Sequence, residues 1–202
     1  MQYSQADVGT AAPGQHDTDV LVGERIRGLR KARGFSLKDL SQRAGLSPGF
    51  LSQVERGLSS ASVRALARIA DALGAVISDI FPVDESLDSS SQIVARVKDR
   101  KRIDFAVTGV TKELVTPFPH SPRLDIYIIT LEPGGRSGDE PYAHDGEEAG
   151  VVLEGGIELV VEGRKFILGE GDSFRFKSSR PHQFCNAGDR LARALWVNFR
   201  EE

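Results

Sequence analysis

Two clusters of side chains in this 202-residue chain are of types that do chemistry. In the first, the apolar residues Leu51 and Val54 mark the inner face of a short helix. Helical periodicity then turns Pro48, Gly49, Phe50, Ser52, Gln53 and Arg56 outward. An amide such as Gln53 can read a base edge through a bidentate pair of hydrogen bonds. Ser52 can offer a single bond, and Phe50 can pack on thymine methyl groups. The second cluster gathers a phenol, two imidazoles and a carboxylate in Tyr142, His144, Glu148 and, further on, His182. Positions 142 and 144 share one face of an extended segment. Two of the four histidines in the chain are spent here.

Each cluster needs a scaffold, and the apolar period changes from helical to strand-like near residue 82. Val22, Ile26 and Leu29 mark a first helix that ends near Gly34. Ser36 caps a second, with Asp39 three residues on, and Gly45 suits its left-handed C-terminal position. Ser47 caps a third, with Pro48 at the first helical position, where a missing N–H costs nothing. A fourth carries Val63, Leu66, Ala70 and Leu73 inward, and a short fifth runs through Val76, Ile77, Ile80 and Phe81 to Pro82. Five short helices in about sixty residues read as a small bundle. Apolar runs at Ile126–Leu131, Val151–Leu153, Ile157–Val161, Phe166–Leu168, Ser173–Phe176, His182–Asn186 and Ala192–Phe199 read as strands, with Glu162-Gly163 as a hairpin turn. The expected layout is a disordered tail over 1–19, a helical domain over 20–82, an acidic serine-rich linker over 83–96 and a β-domain over 97–202.

Composition narrows the function classes. The chain has a net charge of −3, but residues 20–81 hold ten Lys/Arg against five Asp/Glu, whereas residues 82–202 hold sixteen against twenty-one. The helical half is therefore the candidate for contact with a polyanion. No apolar run reaches the length of a membrane span, and the first residues lack the basic and apolar regions of a signal peptide. The one cysteine, Cys185, cannot form an internal disulfide, which fits a reducing cytoplasm. Phe174, Phe176, Phe184, Tyr127 and Trp196 are expected in the β-domain core.

The segment Ser36 to Gly57 sets two helices about three residues apart across Gly45-Leu46-Ser47, the spacing of a helix-turn-helix. With Leu40, Gly45, Ser47, Leu51, Val54, Glu55 and Gly57 in register, residues 22–81 resemble the Cro/C1-type (XRE) family. That resemblance implies DNA binding through Ser36, Leu37, Arg43, Ser47, Pro48, Gly49, Phe50, Ser52, Gln53 and Arg56. Arg33, Ser59, Ser60 and Arg64 would serve phosphates, and Glu55 an internal hydrogen bond. Pro48 and Gly49 leave the tip of the third helix short of side chains that read bases.

The stretch from Gly135 through Tyr142, His144, Glu148 and Gly155, followed by Gly171-Asp172 and His182-x3-Asn186, resembles the two motifs of the cupins. The resemblance covers residues 97–202 and implies an antiparallel jelly-roll barrel whose inward ligands bind Fe, Mn, Ni or Zn. Tyr142 stands where the first metal-binding histidine of those proteins lies. The remaining His144, Glu148 and His182 form a two-histidine, one-carboxylate set of the kind that holds Fe(II). Either a divalent metal sits there, or Tyr142, His144, Glu148, His182 and Glu140 bind an organic effector. Regulators that join these two motifs resemble controllers of polyamine or amino-acid metabolism. Asp139, Glu140, Glu147 and Glu148 would suit a cationic amine if they face inward.

The expectation is a regulator of repressor sign that binds operator DNA as a homodimer. A non-haem iron enzyme of the phosphonate-epoxidase type and a metal-responsive regulator remain the alternatives.

Overall fold

The computed structural model describes residues 15–80, 93–117 and 123–200. The helical half holds α1 (Gln15–Ala32), α2 (Leu37–Ala44), α3 (Pro48–Glu55) and α4 (Val63–Ala72). Local chemistry sets their ends. Ser36 Oγ accepts from the Asp39 amide while Asp39 accepts from the Ser36 amide, a complete capping box at the start of α2. Gly45 closes α2 at φ +59°. Ser47 Oγ then accepts from the Phe50 amide, with Pro48 opening α3. Val22, Ile26, Leu40, Leu51, Val54, Leu66, Ile69 and Leu73 are all buried between the four helices.

Two expectations about this half need correcting. Among the described residues the fifth helix is absent: Ile77–Ile80 forms a single 3₁₀ turn, and the bundle there has four α-helices. The Gly74 turn and the expected stop at Pro82 leave room for little more, and proline disfavours helical geometry in the residue before it. At the other end, α1 begins at Gln15, ahead of the boundary at residue 20. Thr18 is buried, Ser60 Oγ donates to the Asp19 carboxylate, and Val20 lies against Gly57. The rest of the expected tail, most of the linker, Phe81, Pro82 and the loop at His120 lie outside the described residues.

Gly57 shows how tightly α1 seats on the turn after α3. Its φ is +66°, and a Cβ there would stand 2.6–2.8 Å from the Cγ2, Cα and N of Val20. Gly57→Ala therefore combines left-handed strain with overpacking and is expected to lower stability by at least about 2 kcal/mol. Urea unfolding of the full chain measures it; a midpoint unchanged at equal slope would show that the turn relaxes freely.

The β-domain comprises β1 (Lys101–Phe105), β2 (Val110–Leu114), β3 (Leu124–Leu131), β4 (Glu147–Glu154), β5 (Ile157–Val161), β6 (Arg164–Leu168), β7 (Ser173–Lys177), β8 (His182–Cys185) and β9 (Ala192–Phe199). All pairings are antiparallel. They build a six-stranded sheet of order β1-β2-β3-β9-β4-β7 and a three-stranded sheet of order β6-β5-β8. Glu162 and Gly163, at φ +50° and +76°, turn β5 into β6 as expected. The inner face carries Tyr127, Ile129, Leu159, Phe184, Ala194 and Trp196, all buried.

The expected closed barrel is not formed among the described residues; two sheets face each other instead. The segment 132–146 pairs with β8 through the isolated bridges Arg136↔Cys185 and Tyr142↔His182 and a hydrogen bond from the Phe184 amide to Ser137 Oγ, not through a continuous ladder. Pro133 and Pro141 have no N–H to give, and Gly134 and Gly146 adopt φ of +76° and +109°, so this segment cannot sustain a ladder.

The two halves meet through a polar junction. Ser78 Oγ of the 3₁₀ turn donates to Asp125 Oδ2 of β3 at 2.5 Å, and both residues are buried. Nearby, the Arg64 amide of α4 donates to the Ser137 carbonyl at 3.0 Å.

Candidate functional site

The bridge between Tyr142 and His182 assembles the site. Each residue donates its amide to the other's carbonyl at 2.9 Å, and the His144 amide reaches the Ser178 carbonyl at 3.0 Å. Tyr142 and His144 thus point to one side of an extended segment, though not of a regular strand. Glu148 enters from β4 and His182 from β8. One nitrogen or oxygen from each of His144, Glu148 and His182 lies within 4.8 Å of the others.

Ring orientation fits a metal. His144 Nδ1 faces the Asp145 carbonyl at 3.0 Å, and His182 Nδ1 faces the Arg180 carbonyl at 2.9 Å. A proton on each Nδ1 turns both Nε2 atoms toward Glu148, as backbone carbonyls do for metal-binding histidines. His144 Nε2 lies 2.7 Å from Glu148 Oε1. His182 Nε2, fully buried at 3.6 Å from the same oxygen, has no hydrogen-bond partner. A donor set with one such lone pair left over matches a divalent cation.

Burial pushes the Glu148 carboxyl upward. The hydrogen bond from His144 and the charges of His182, His144 and Lys112 outweigh burial and hold it below the usual carboxylate range. Burial likewise lowers His182 from its ordinary value, against the opposing pull of Glu148, which keeps the ring in the neutral form a metal needs. Trp196 Nε1 donates to Glu148 Oε2 at 2.9 Å, and Phe176 lies 4.9 Å from the His182 ring. A narrow crevice of about 20 Å³, room for roughly one water, runs from His144, Asn198 and Asp125 of the β-domain to Ala67, Val76 and Ile77 of the helical half.

On the helical half, α3 exposes Pro48, Gly49, Gln53 and Arg56, with Phe50 and Ser52 half-buried. Ser47 caps the helix beside them, and Arg43 of α2 stacks over the Phe35 ring at 4.5 Å. Beneath this face, Arg30 and Glu55 form a bidentate pair at 2.6 and 2.8 Å.

The comparisons with known proteins match these two halves. Residues 21–79 fit the family model described as a helix-turn-helix domain, and residues 127–198 the one described as a cupin domain. The transcriptional regulator PuuR of Escherichia coli is 28% identical over 179 residues, covering 89% of this chain and 95% of that protein. SutR of the same organism is 29% identical over 166 residues, covering 81% and 86%. A Mycobacterium tuberculosis HTH-type transcriptional regulator is 34% identical over 105 residues, covering 52% of this chain and 68% of that one. The chain belongs to the XRE-type helix-turn-helix transcriptional regulators that carry a cupin domain. A solved HTH_3-family regulator from Vibrio cholerae superposes on this one with a TM-score of 0.73 at 25% identity, covering 93% of this chain and 99% of that one.

For this regulator the structure redistributes several of the expected site residues. Tyr142, His144, Glu148 and His182 come together, but Glu140 lies outside the site. It is exposed and pairs with Arg64 at 2.5 Å, because the Arg64–Ser137 hydrogen bond holds its loop against α4. Arg64 is thus committed to the β-domain, and Ser60 to Asp19. Arg33 turns back to the Gly74 carbonyl at 3.3 Å. Ser36 and Leu37 serve the start of α2: Ser36 is its cap, and Leu37 packs half-buried against the core. Ser59 is half-buried.

Nor does the acidic cluster expected for an amine form. Asp139 pairs outward with Arg136 at 2.8 Å and Glu147 with Arg175 at 2.6 Å, so only Glu148 faces in. The sequence reading missed Lys112. It sits on β2 between the buried Val110 and Leu114, is 2% exposed, and its Nζ lies 4.9 Å from the centre of the Tyr127 ring. Burial lowers it to about 8, against the pull of Glu148 and Asp125. The period-two pattern Val110-x-Lys112-x-Leu114 was the available signal.

Proposed function

We propose that this regulator binds operator DNA as a two-fold pair, with α3 of each copy in successive major grooves ~34 Å apart. Occupation of the His144–Glu148–His182 site then sets how the heads meet the DNA. The observation that carries this reading is the narrow crevice whose walls come from both halves, His144 and Asn198 on one side and Ala67 and Ile77 on the other. An occupant that fits one arrangement of the halves better than another shifts the balance between them. A difference of ~1–3 kcal/mol changes operator occupancy several-fold or more.

A divalent metal fits the three side chains and would be held by His144, Glu148 and His182. Bound there, it supplies a Lewis acid that can accept an oxygen of a ligand. The regulator's own groups do the rest: Tyr142 and Phe176 wall the site, and Trp196 fixes the Glu148 carboxylate.

The test is selection of bound fragments from random duplex DNA by the purified protein, with and without a chelator. A recovered two-fold site whose affinity falls steeply with salt supports the reading. No enriched sequence, together with copurifying iron and turnover, would make the β-domain an enzyme and overturn it. Within a recovered site, Gln53→Ala is expected to relax discrimination at one base pair by about 1–3 kcal/mol while leaving the salt slope unchanged. A uniform loss across all sequences would instead place Gln53 on the phosphates.

A further inference from the structure

We infer that Glu140 is an internal stand-in for a DNA phosphate: its carboxylate occupies Arg64 of the helical half and keeps that arginine off the duplex. This rests on the reading that the helical half binds DNA, and it names a contact through which the β-domain restrains that binding.

The loop that carries Glu140 is fixed to β8 on both sides of it. Ser137, fully buried, donates its amide to the Phe184 carbonyl at 3.0 Å, and its Oγ accepts from the Phe184 amide at 3.2 Å. Tyr142 exchanges backbone hydrogen bonds with His182, two residues earlier on the same strand. Between these anchors residues 138–141 reach α4. The Arg64 amide there donates to the Ser137 carbonyl at 3.0 Å. A Cβ on Gly138 would stand 3.0 Å from that of Arg64, so bare backbone packs on the arginine. From this position Glu140 Oε2 accepts from Arg64 Nη2 at 2.5 Å.

Arg64 is well placed to be contested. Arg68, one turn on and on the same face of α4, donates to the Gly45 carbonyl at 3.1 Å, in the turn that leads into α3. The face that bears Arg64 is thus the one turned toward the start of the DNA-reading helix. A guanidinium offers five donors in a fork that suits a carboxylate or a phosphate. Glu140 takes one of them, and Arg64 Nε has no hydrogen-bond partner among the described residues. The Glu140 side chain is 70% exposed, so the pair holds weakly against water and salt. Such a contact adds little to stability. It is readily exchanged for phosphate oxygens, whose neutralisation also releases counterions. His144 lies on the same loop, so an occupant of its site pulls on this contact.

The experiment is fluorescence anisotropy of a short labelled duplex of random sequence, titrated with the full chain at several salt concentrations. Glu140→Gln is expected to bind about two- to fivefold more tightly, the range of an exposed ion pair. Its salt slope should steepen by about 0.9, the signature of one further phosphate. Asp139→Asn removes the same charge from the same loop, but from the pair with Arg136, and should stay closer to wild type. In an Arg64→Gln background the gain from Glu140→Gln should vanish. Equal affinity and slope in wild type and Glu140→Gln overturns the proposal. So does an equal gain from Asp139→Asn, or a gain that persists without Arg64, since either reduces the effect to bulk charge. Binding that does not distinguish wild type from Glu140→Gln sinks this inference alone. No duplex binding by either protein sinks the DNA-binding reading and the inference with it.

Discussion

Glu55→Ala is expected to cost the DNA-binding head about 3–5 kcal/mol, a large share of the stability of a domain this size. Glu55 is 6% exposed and holds the Arg30 guanidinium through both carboxylate oxygens. Arg30 in turn donates to the Phe35 carbonyl at 2.7 Å, so the pair ties α1 to α3 and to the turn entering α2. The hydrogen bond from Arg30 to Glu55 raises the arginine above its already high ordinary value, so the guanidinium stays charged when its partner is removed. What remains after truncation is a nearly buried cation with nothing opposite, which is far worse than an apolar pair. Urea unfolding of the full chain should show an early transition for the head, separate from that of the β-domain. A single unshifted transition would show that the pair adds little. Glu55→Gln, which keeps one acceptor, should fall between.

The second large effect is at Glu148. Glu148→Gln is expected to lower affinity for Zn²⁺ or Mn²⁺ by more than about 100-fold, since loss of a second-shell partner alone costs 10–100-fold. The amide keeps an oxygen for Trp196 Nε1, so the fold should stay close to wild type. Glu148→Ala lacks that acceptor and should lose a further 1–3 kcal/mol of stability, roughly the cost of a buried unsatisfied donor. Metal content after dialysis and thermal unfolding separate the two. Wild-type metal content in the Gln variant would remove the triad from consideration.

Much of this was legible in the chain. Ser36, Asp39, Gly45, Ser47 and Pro48 announce the ends of α2 and α3 through local hydrogen bonds that need no tertiary context. The strands from β5 onward follow β-branched and aromatic runs, and β5 and β9 begin and end where those runs do. By contrast, β1 (KRIDF) and β2 (VTKEL) were missed because charged residues fill their alternation, and the inward lysine breaks the apolar stripe. At the site, spacing located Tyr142, His144, Glu148 and His182, which come from the segment bridged to β8, from β4 and from β8 itself. It could not say which carboxylates of the loop face in. Glu140 and Glu147 are drawn out by Arg64 and Arg175, 76 and 28 residues away along the chain, and such pairings have no local signature.

The buried contact between Ser78 and Asp125 bears on how such a protein can be reassembled. Two family models divide the chain neatly, at 21–79 and 127–198, as though either part could be exchanged for another. The hydrogen bond crosses that division, and it fastens a carboxylate that already lies beneath Lys112 and Tyr127. A foreign head grafted onto this β-domain would remove the Ser78 hydroxyl from the nearly buried Asp125, and a foreign β-domain would take the acceptor from Ser78. Chimeras that move the domain boundary while ignoring this pair should misassemble. Those that bring a matching hydroxyl at the equivalent turn keep the two modules in register.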